Sequence, residues 1–287
     1  MEIILKNSEV VATINTLGAE LVSFKDIKAE KEFMWQGEVW KKTSPVLFPV
    51  IGGLVDGEFI YEGKSYAMPK HGFAQLKEFS FISESENCVR FFLKSSQDTL
   101  KIYPFEFEFS IVYTLEAKKL NIEYRVENLS DKEMIFSVGG HPGFACPLDE
   151  KRKIDGYYIE FEVEESAERF PVEGMFISKK SVPALKNSQK IFLSETIFNQ
   201  DAWIFQNLKS EHVTLKNIYD ASEVKVGVKG FEYLAFWAKP GAAYVCVEPW
   251  CGIADFVGHD KCFANKQGNL FLEGGKTFSI HMPIEVK

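Results

Sequence analysis

The sequence predicts an all-β fold of antiparallel sheets, a sandwich or a barrel. Three observations carry that expectation. Runs of strict apolar–polar alternation recur from one end of the chain to the other. Short turn signals separate them, and no amphipathic stretch of helical length interrupts them. The composition is also rich in rings, with 26 Phe, 10 Tyr and 5 Trp among 287 residues, and flat side chains pack well on pleated faces.

The elements follow in order. Phe105-Glu-Phe-Glu-Phe-Ser-Ile-Val-Tyr places Phe105, Phe107 and Phe109 on one face and Glu106 and Glu108 on the other. Leu120-Asn-Ile-Glu-Tyr-Arg-Val-Glu repeats the pattern, and Ala117-Lys-Lys between the two reads as a hairpin connection. Tyr158-Ile-Glu-Phe-Glu-Val-Glu is a third strand, and Phe278-Ser-Ile-His-Met-Pro-Ile a last one. Val55-Asp-Gly-Glu, Tyr61-Glu-Gly-Lys, Asn128-Leu-Ser-Asp and Glu273-Gly-Gly-Lys are turns. The polar, irregular stretch 164–200 reads as an excursion from the sheet. Without a linker, a low-complexity block or an internal repeat, residues 1–287 are expected to form a single domain.

A formal net charge of −8 argues against a nucleic-acid partner, which requires a basic footprint. No apolar run approaches the roughly 18 residues of a membrane span. The N-terminus carries no signal-peptide pattern, so a cytoplasmic location is expected. Five scattered cysteines, Cys88, Cys146, Cys246, Cys251 and Cys262, fit free and mostly buried thiols in a reducing compartment. Cys251, His259 and Cys262 lie near one another in sequence, but their spacing matches no zinc motif, and no metal or other cofactor is expected. Monomer and homodimer both remain open.

Five histidines can be weighed singly. His71 stands in Met68-Pro-Lys-His-Gly-Phe-Ala, where Pro69 stiffens the approach and Gly72 admits a close neighbour. His141 stands in Ser137-Val-Gly-Gly-His-Pro-Gly-Phe, directly after an apolar strand, and Pro142 biases it to an extended backbone. Glycines around it clear its surroundings, as would suit an imidazole presented at the mouth of a cleft. A structural histidine in a tight turn is the competing reading for both. His212, His259 and His281 read as surface or structural groups. In Ala243-Tyr-Val-Cys-Val-Glu-Pro-Trp-Cys-Gly-Ile-Ala-Asp, Glu248 is the one charge between Gly241 and Ala254. A carboxylate in such surroundings needs either a cationic partner or a task, because an unpaired buried charge is costly. Trp237, on the strand before it, would bring a ring near Glu248.

Two imidazoles and one carboxylate suit the opening of a cyclic hemiacetal. A base takes the proton of the C1 hydroxyl, an acid protonates the ring oxygen, and the chain rotates about C1–C2 before closing on the other face. In their order and spacing these segments resemble the aldose 1-epimerase family, specifically its bacterial LacX-like branch. The markers are Leu47-Phe-Pro, Asp56-Gly, Tyr61-Glu-Gly-Lys, His71-Gly-Phe-Ala, His141-Pro-Gly-Phe, Asp201-Ala and Cys246-Val-Glu-Pro-Trp-Cys-Gly-Ile-Ala-Asp. The resemblance implies a galactose-mutarotase-like supersandwich with a sugar bound in an open cleft. It implies Glu248 as general base, His141 as the acid at the ring oxygen, and His71 as the second histidine holding a sugar oxygen. Asp201 and Trp237 correspond to substrate-binding positions. The chain departs from the family pattern at Gly53 and Gln75, where the resemblance leads to an expectation of Arg; a lone Lys does not replace a guanidinium's fork of donors, and Lys70 is expected to compensate only in part. The resemblance therefore implies interconversion of the α and β anomers of a hexose. A non-catalytic sugar-binding protein and a hexose-6-phosphate 1-epimerase stand as the alternatives.

Overall fold

The computed structural model describes residues 1–149 and 151–287. A ten-stranded antiparallel sheet forms the larger layer. It runs from Val182–Phe192 through Tyr157–Arg169, His212–Asn217, Val224–Gly227, Ile284–Val286, Lys119–Asn128, Phe107–Glu116 and Cys88–Lys94 to Ser80–Ser85, with Thr277–His281 also pairing Lys119–Asn128. A six-stranded sheet contains Trp203–Gln206, Tyr233–Trp237, Tyr244–Cys251, Val138–Gly140 and Val46–Leu47, with Gly143–Ala145 also on Tyr244–Cys251. An N-terminal four-stranded sheet, Glu2–Lys6 to Lys31–Glu32, completes the major elements. Among the described residues the α-helical content is one turn, Gln97–Leu100, capped reciprocally by Ser96 and Thr99.

The alternation read from the sequence sets the packing. Phe107, Phe109, Ile111, Tyr113 and Leu115 are buried on one face of Phe107–Glu116, and Ala117, at φ 49°, makes the turn into Lys119–Asn128. Phe48 fills the space between the sheets. Its ring stacks on Phe109 at 4.5 Å and lies 5.1 Å from Phe107 and 6.1 Å from Phe136. Two buried tyrosines satisfy their hydroxyls across the layers: Tyr103 donates to the Ile135 carbonyl at 2.6 Å and Tyr113 to that of Ala19 at 2.7 Å. A smaller apolar cluster, including Leu47, Ile51, Ile177, Ile204, Ala235, Trp250 and Ile253, underlies the face of the six-stranded sheet that carries the site described below.

The stretch 164–200 differs from expectation. Nearly half of it belongs to the large sheet, as the end of Tyr157–Arg169 and the edge strand Val182–Phe192. Its alternation is broken by register shifts between Glu160 and Glu165 and again at Ala167, and bulges of this kind move side chains from one face to the other. An exposed edge then keeps the remaining residues polar. The true excursion is a small hairpin, Val172–Glu173 with Phe176–Ile177.

Replacing Phe109 by Ala removes the ring that stacks on Phe48 at the centre of the core. The expected cost is about 3–5 kcal/mol of unfolding free energy, read from urea denaturation followed by tryptophan fluorescence. A midpoint equal to that of the parent protein would contradict this account of the core.

Candidate functional site

The strand Tyr244–Cys251 lies inside the six-stranded sheet and is buried along its whole length. Its neighbour on one side is interrupted. Val138 and Gly139 pair with Cys251 and Trp250, whereas Gly143, Phe144 and Ala145 pair with Cys246, Val245 and Tyr244. Both halves keep the same register, so in the gap Gly140, His141 and Pro142 fall opposite Pro249, Glu248 and Val247. The Val247 N–H accordingly donates to the Pro142 carbonyl at 3.1 Å. Directly opposed residues bring their side chains together, and His141 Nε2 lies 3.0 Å from Glu248 Oε2. These side chains are 10% and 2% exposed, so the partner of the buried carboxylate is an imidazole, not a lysine or arginine. Glycine makes the surroundings possible. A Cβ at Gly143 would stand 2.7 Å from the Trp40 ring, and one at Gly139 2.8 Å from the Trp250 ring.

His71 arrives from a separate loop and is held by its backbone. It occupies the left-handed region at φ 66°, and Gly72 follows at φ 74°. A Cβ at Gly72 would meet the Phe48 carbonyl oxygen at 2.1 Å, so only glycine fits. The His71 N–H donates to the Gly52 carbonyl at 3.0 Å, and the Gly52 N–H donates back to His71 Nδ1 at 3.2 Å. An Nδ1 that accepts a hydrogen bond leaves the proton of the neutral ring on Nε2, which is thus a donor. Burial, then the neighbouring His141 and Lys70, hold the His71 pKa well below the ordinary 6.5. The ring centroids of His71 and His141 are 5.6 Å apart. One imidazole is therefore bonded to a carboxylate and the other is kept neutral.

The three groups line one cleft of about 270 Å³. Asp201, Trp237, Gln75 and Lys70 line it too, so every site residue expected from the sequence converges there. Asp201 is exposed at φ 69°, with its carboxylate accepting from the Ala202 N–H at 2.8 Å. Trp237 places its ring 5.9 Å from that of His141. Gln75 donates to the Lys70 carbonyl at 3.3 Å, which ties the two together.

Several lining residues were not legible in the sequence. Trp40 lies 5.1 Å from the His141 ring and meets Trp237 edge-on at 5.8 Å, forming an aromatic wall. Lys42 adds a second cation. Trp250, two residues beyond Glu248 on the same strand face, lines the cleft, while its indole N–H is buried without a partner within the protein. The hairpin at Val172–Ile177 closes another side through Val172, Met175 and Ile177. The only sequence hint of Trp40 and Lys42 was a pair of tryptophans, Trp35 and Trp40, in a segment without periodicity. The hairpin also explains Gly53. A Cβ there would stand 3.1 Å from Met175, so a larger residue would require the hairpin to move.

Among the described residues, the group with metal-ligand geometry is His141, Cys246 and Glu248, with donor atoms within 4.8 Å of one another; Cys251, His259 and Cys262 form no such group. The Cys246 thiol is fully buried, and burial, then the Glu248 carboxylate, raises its pKa well above the ordinary value. No helix among the described residues is long and apolar enough to cross a membrane.

The family model described as Aldose 1-epimerase matches residues 1–285. The chain belongs to the aldose 1-epimerase family. It is 34% identical over 266 residues to Protein LacX of Lactococcus lactis subsp. lactis, an alignment covering 88% of this chain and 89% of that protein. A solved galactose mutarotase related enzyme from Lactobacillus acidophilus superposes with a TM-score of 0.95 at 33% identity, covering 100% of this chain and 97% of that one. A galactose mutarotase-like protein from Lactobacillus casei gives 0.93 at 27% identity, with complete coverage of both chains. The fold is thus the galactose-mutarotase-like one, and the cleft of this aldose 1-epimerase family member lies on the six-stranded sheet.

A neutral His71 has a measurable consequence. The unfolded chain takes up the proton near pH 6.5, whereas the folded ring resists it. The stability tied to this group is therefore complete above that value and is lost as the pH falls below it. In an NMR titration the His71 ring signals are expected to stay those of the Nε2–H tautomer at pH 6. An ordinary titration curve centred near 6.5 would refute the assignment.

Proposed function

We propose that this chain is an aldose 1-epimerase that interconverts the α and β anomers of an uncharged hexose. Glu248 accepts the proton of the C1 hydroxyl while His141 Nε2 delivers its proton to the ring oxygen. The C1–O5 bond then breaks to give the open-chain aldehyde. Rotation about C1–C2 presents the other carbonyl face. The reverse transfers close the ring and return the proton to His141 and the charge to Glu248, so each turnover resets the pair. His71 holds a sugar oxygen through its Nε2–H and has no part in the proton traffic.

The observation that carries this reading is the contact of 3.0 Å between His141 Nε2 and Glu248 Oε2 at the cleft. Acid and base separated by one hydrogen bond can flank the two oxygens borne by one anomeric carbon. The aromatic wall of Trp40 and Trp237 supports a ring presenting C–H faces, and Asp201 and Gln75 supply polar contacts for hydroxyls. An uncharged sugar is favoured because the position expected to carry Arg is Gly53, overlain by Met175. Lys42 and Lys70 favour a second reading, in which the sugar carries a 6-phosphate. Two flexible point charges are a weaker phosphate clamp than a guanidinium fork, so that reading ranks second.

Saturation-transfer NMR on a panel of free hexoses and their 6-phosphates tests both. Glu248→Gln and His141→Asn are each expected to slow catalysed anomer exchange by roughly 10²–10⁴-fold while leaving the far-UV circular dichroism unchanged. Exchange at the spontaneous rate across the whole panel, combined with calorimetric sugar binding, would instead make this a non-catalytic sugar-binding protein.

A further inference from the structure

A second buried charge pair stands behind the cleft wall. The side chains of Lys266 and Asp255 are each 1% exposed, with Nζ 3.3 Å from Oδ1. The ammonium also donates to the Ile253 carbonyl. Burial pulls the Lys266 pKa down to about 8, against the opposing pull of the Asp255 carboxylate. His259 flanks the pair, 3.6 Å from Asp255 Oδ2, with its Nδ1 accepting from the Lys261 N–H at 3.0 Å. Neither Lys266 nor Asp255 lines the cleft.

Asp255 is tied to both adjoining walls. Its Oδ2 accepts from the Val55 N–H at 2.9 Å, its own N–H donates to the Gly53 carbonyl at 3.0 Å, and its carbonyl accepts from the Ile177 N–H at 2.9 Å. The first two bonds hold the loop 52–55, and the third holds the hairpin whose Met175 overlies Gly53. Gly52, at φ 70°, lies so close to this segment that a Cβ would stand 2.3 Å from that of Ala254. Gly52 is also the residue that exchanges two hydrogen bonds with His71. A continuous route thus runs from Lys266 through Asp255 and the loop 52–55 to His71 Nδ1.

A buried ion pair is expensive to desolvate, and an apolar pair of similar volume is often at least as stable. Stability alone therefore gives little reason for charge at this place. We propose that Lys266 and Asp255 are positioning residues, which fix the loop 52–55 so that Gly52 locks His71 in the tautomer and direction that present its Nε2–H to the sugar. This inference rests on the sugar-site reading of the cleft, but its primary readout, the His71 ring itself, does not require catalysis.

Two variants test it: Lys266→Met, and Asp255→Leu/Lys266→Met, which leaves no unpaired buried charge yet removes the acceptor for the Val55 N–H. In both, long-range ¹H–¹⁵N spectra are expected to show His71 exchanging between its two tautomers, with the His141 ring signals unchanged. In both, kcat/KM for the best sugar of the panel is expected to fall by about 10–10²-fold, the scale of a small displacement transmitted from a distance. A His71 spectrum identical to that of the parent protein in a folded variant overturns the proposal, even if the unfolding midpoint drops, because that pattern is what a purely structural pair would give. Should both variants fail to fold, amide hydrogen exchange on the unaltered protein decides. Gly52 and Val55 exchanging as slowly as the strand Tyr244–Cys251 supports the proposal, and exchange at the rate of an open loop overturns it. If the unaltered protein accelerates no sugar, the epimerase reading fails, while the spectra still decide whether this pair positions His71.

Discussion

The contact between His141 and Glu248 depends on the register of a β-sheet. A carboxylate inside a central strand would be intolerable without a partner, and the partner here is placed by strand pairing rather than by a flexible side chain reaching in. Val138–Gly140 and Gly143–Ala145 bind the same neighbour in one continuous register, so His141 and Pro142 between them are held as firmly as if they belonged to the sheet. A shift of one residue would turn His141 away from Glu248 and break their contact. The rest of the molecule can be understood as support for that register. The aromatic core around Phe48 fixes the large sheet behind it, and the glycines at 139 and 143 let the indoles of Trp250 and Trp40 close on it.

The two imidazoles differ because their surroundings differ. His141 faces a carboxylate, while the His71 ring accepts from the Gly52 backbone N–H and has His141 and Lys70 as neighbours. Burial and the basic groups beside it both oppose protonation of His71, which suits the fixed-donor role proposed for it. The strained φ of His71 belongs to the same design. A backbone conformation rarely adopted by side-chain-bearing residues is maintained by Gly72, the Gly52 bonds and the segment beneath them.

Family membership and local construction diverge along one wall. The hairpin Val172–Ile177 brings apolar residues to the place where the resemblance led to an expectation of a guanidinium, and Gly53 is the residue that lets Met175 sit there. This wall is separate from the His141–Glu248 contact, whose residues come from other segments of the chain. Under the proposed function, substrate preference and chemistry are assigned to separate parts of the chain.

Period-two alternation and turn residues were enough to establish the all-β class, because side-chain alternation is a local property of each strand. The same logic failed across 164–200, where bulges displace the alternation and an edge keeps the strands polar. His71, His141 and Glu248 were also legible, since their neighbouring Gly and Pro residues, and for Glu248 the absence of any other charge, mark them in sequence. Tertiary structure alone decided that residues 71, 141 and 248 meet, that an imidazole answers Glu248, that Trp40 and Lys42 join them, and that Met175 covers Gly53. It also decided that His259, which carries no mark in the sequence, stands beside the buried pair of Lys266 and Asp255. The reason is physical: alternation and turn chemistry act between near neighbours in sequence, whereas a cleft is made by strand pairings and loop contacts between segments far apart in the chain.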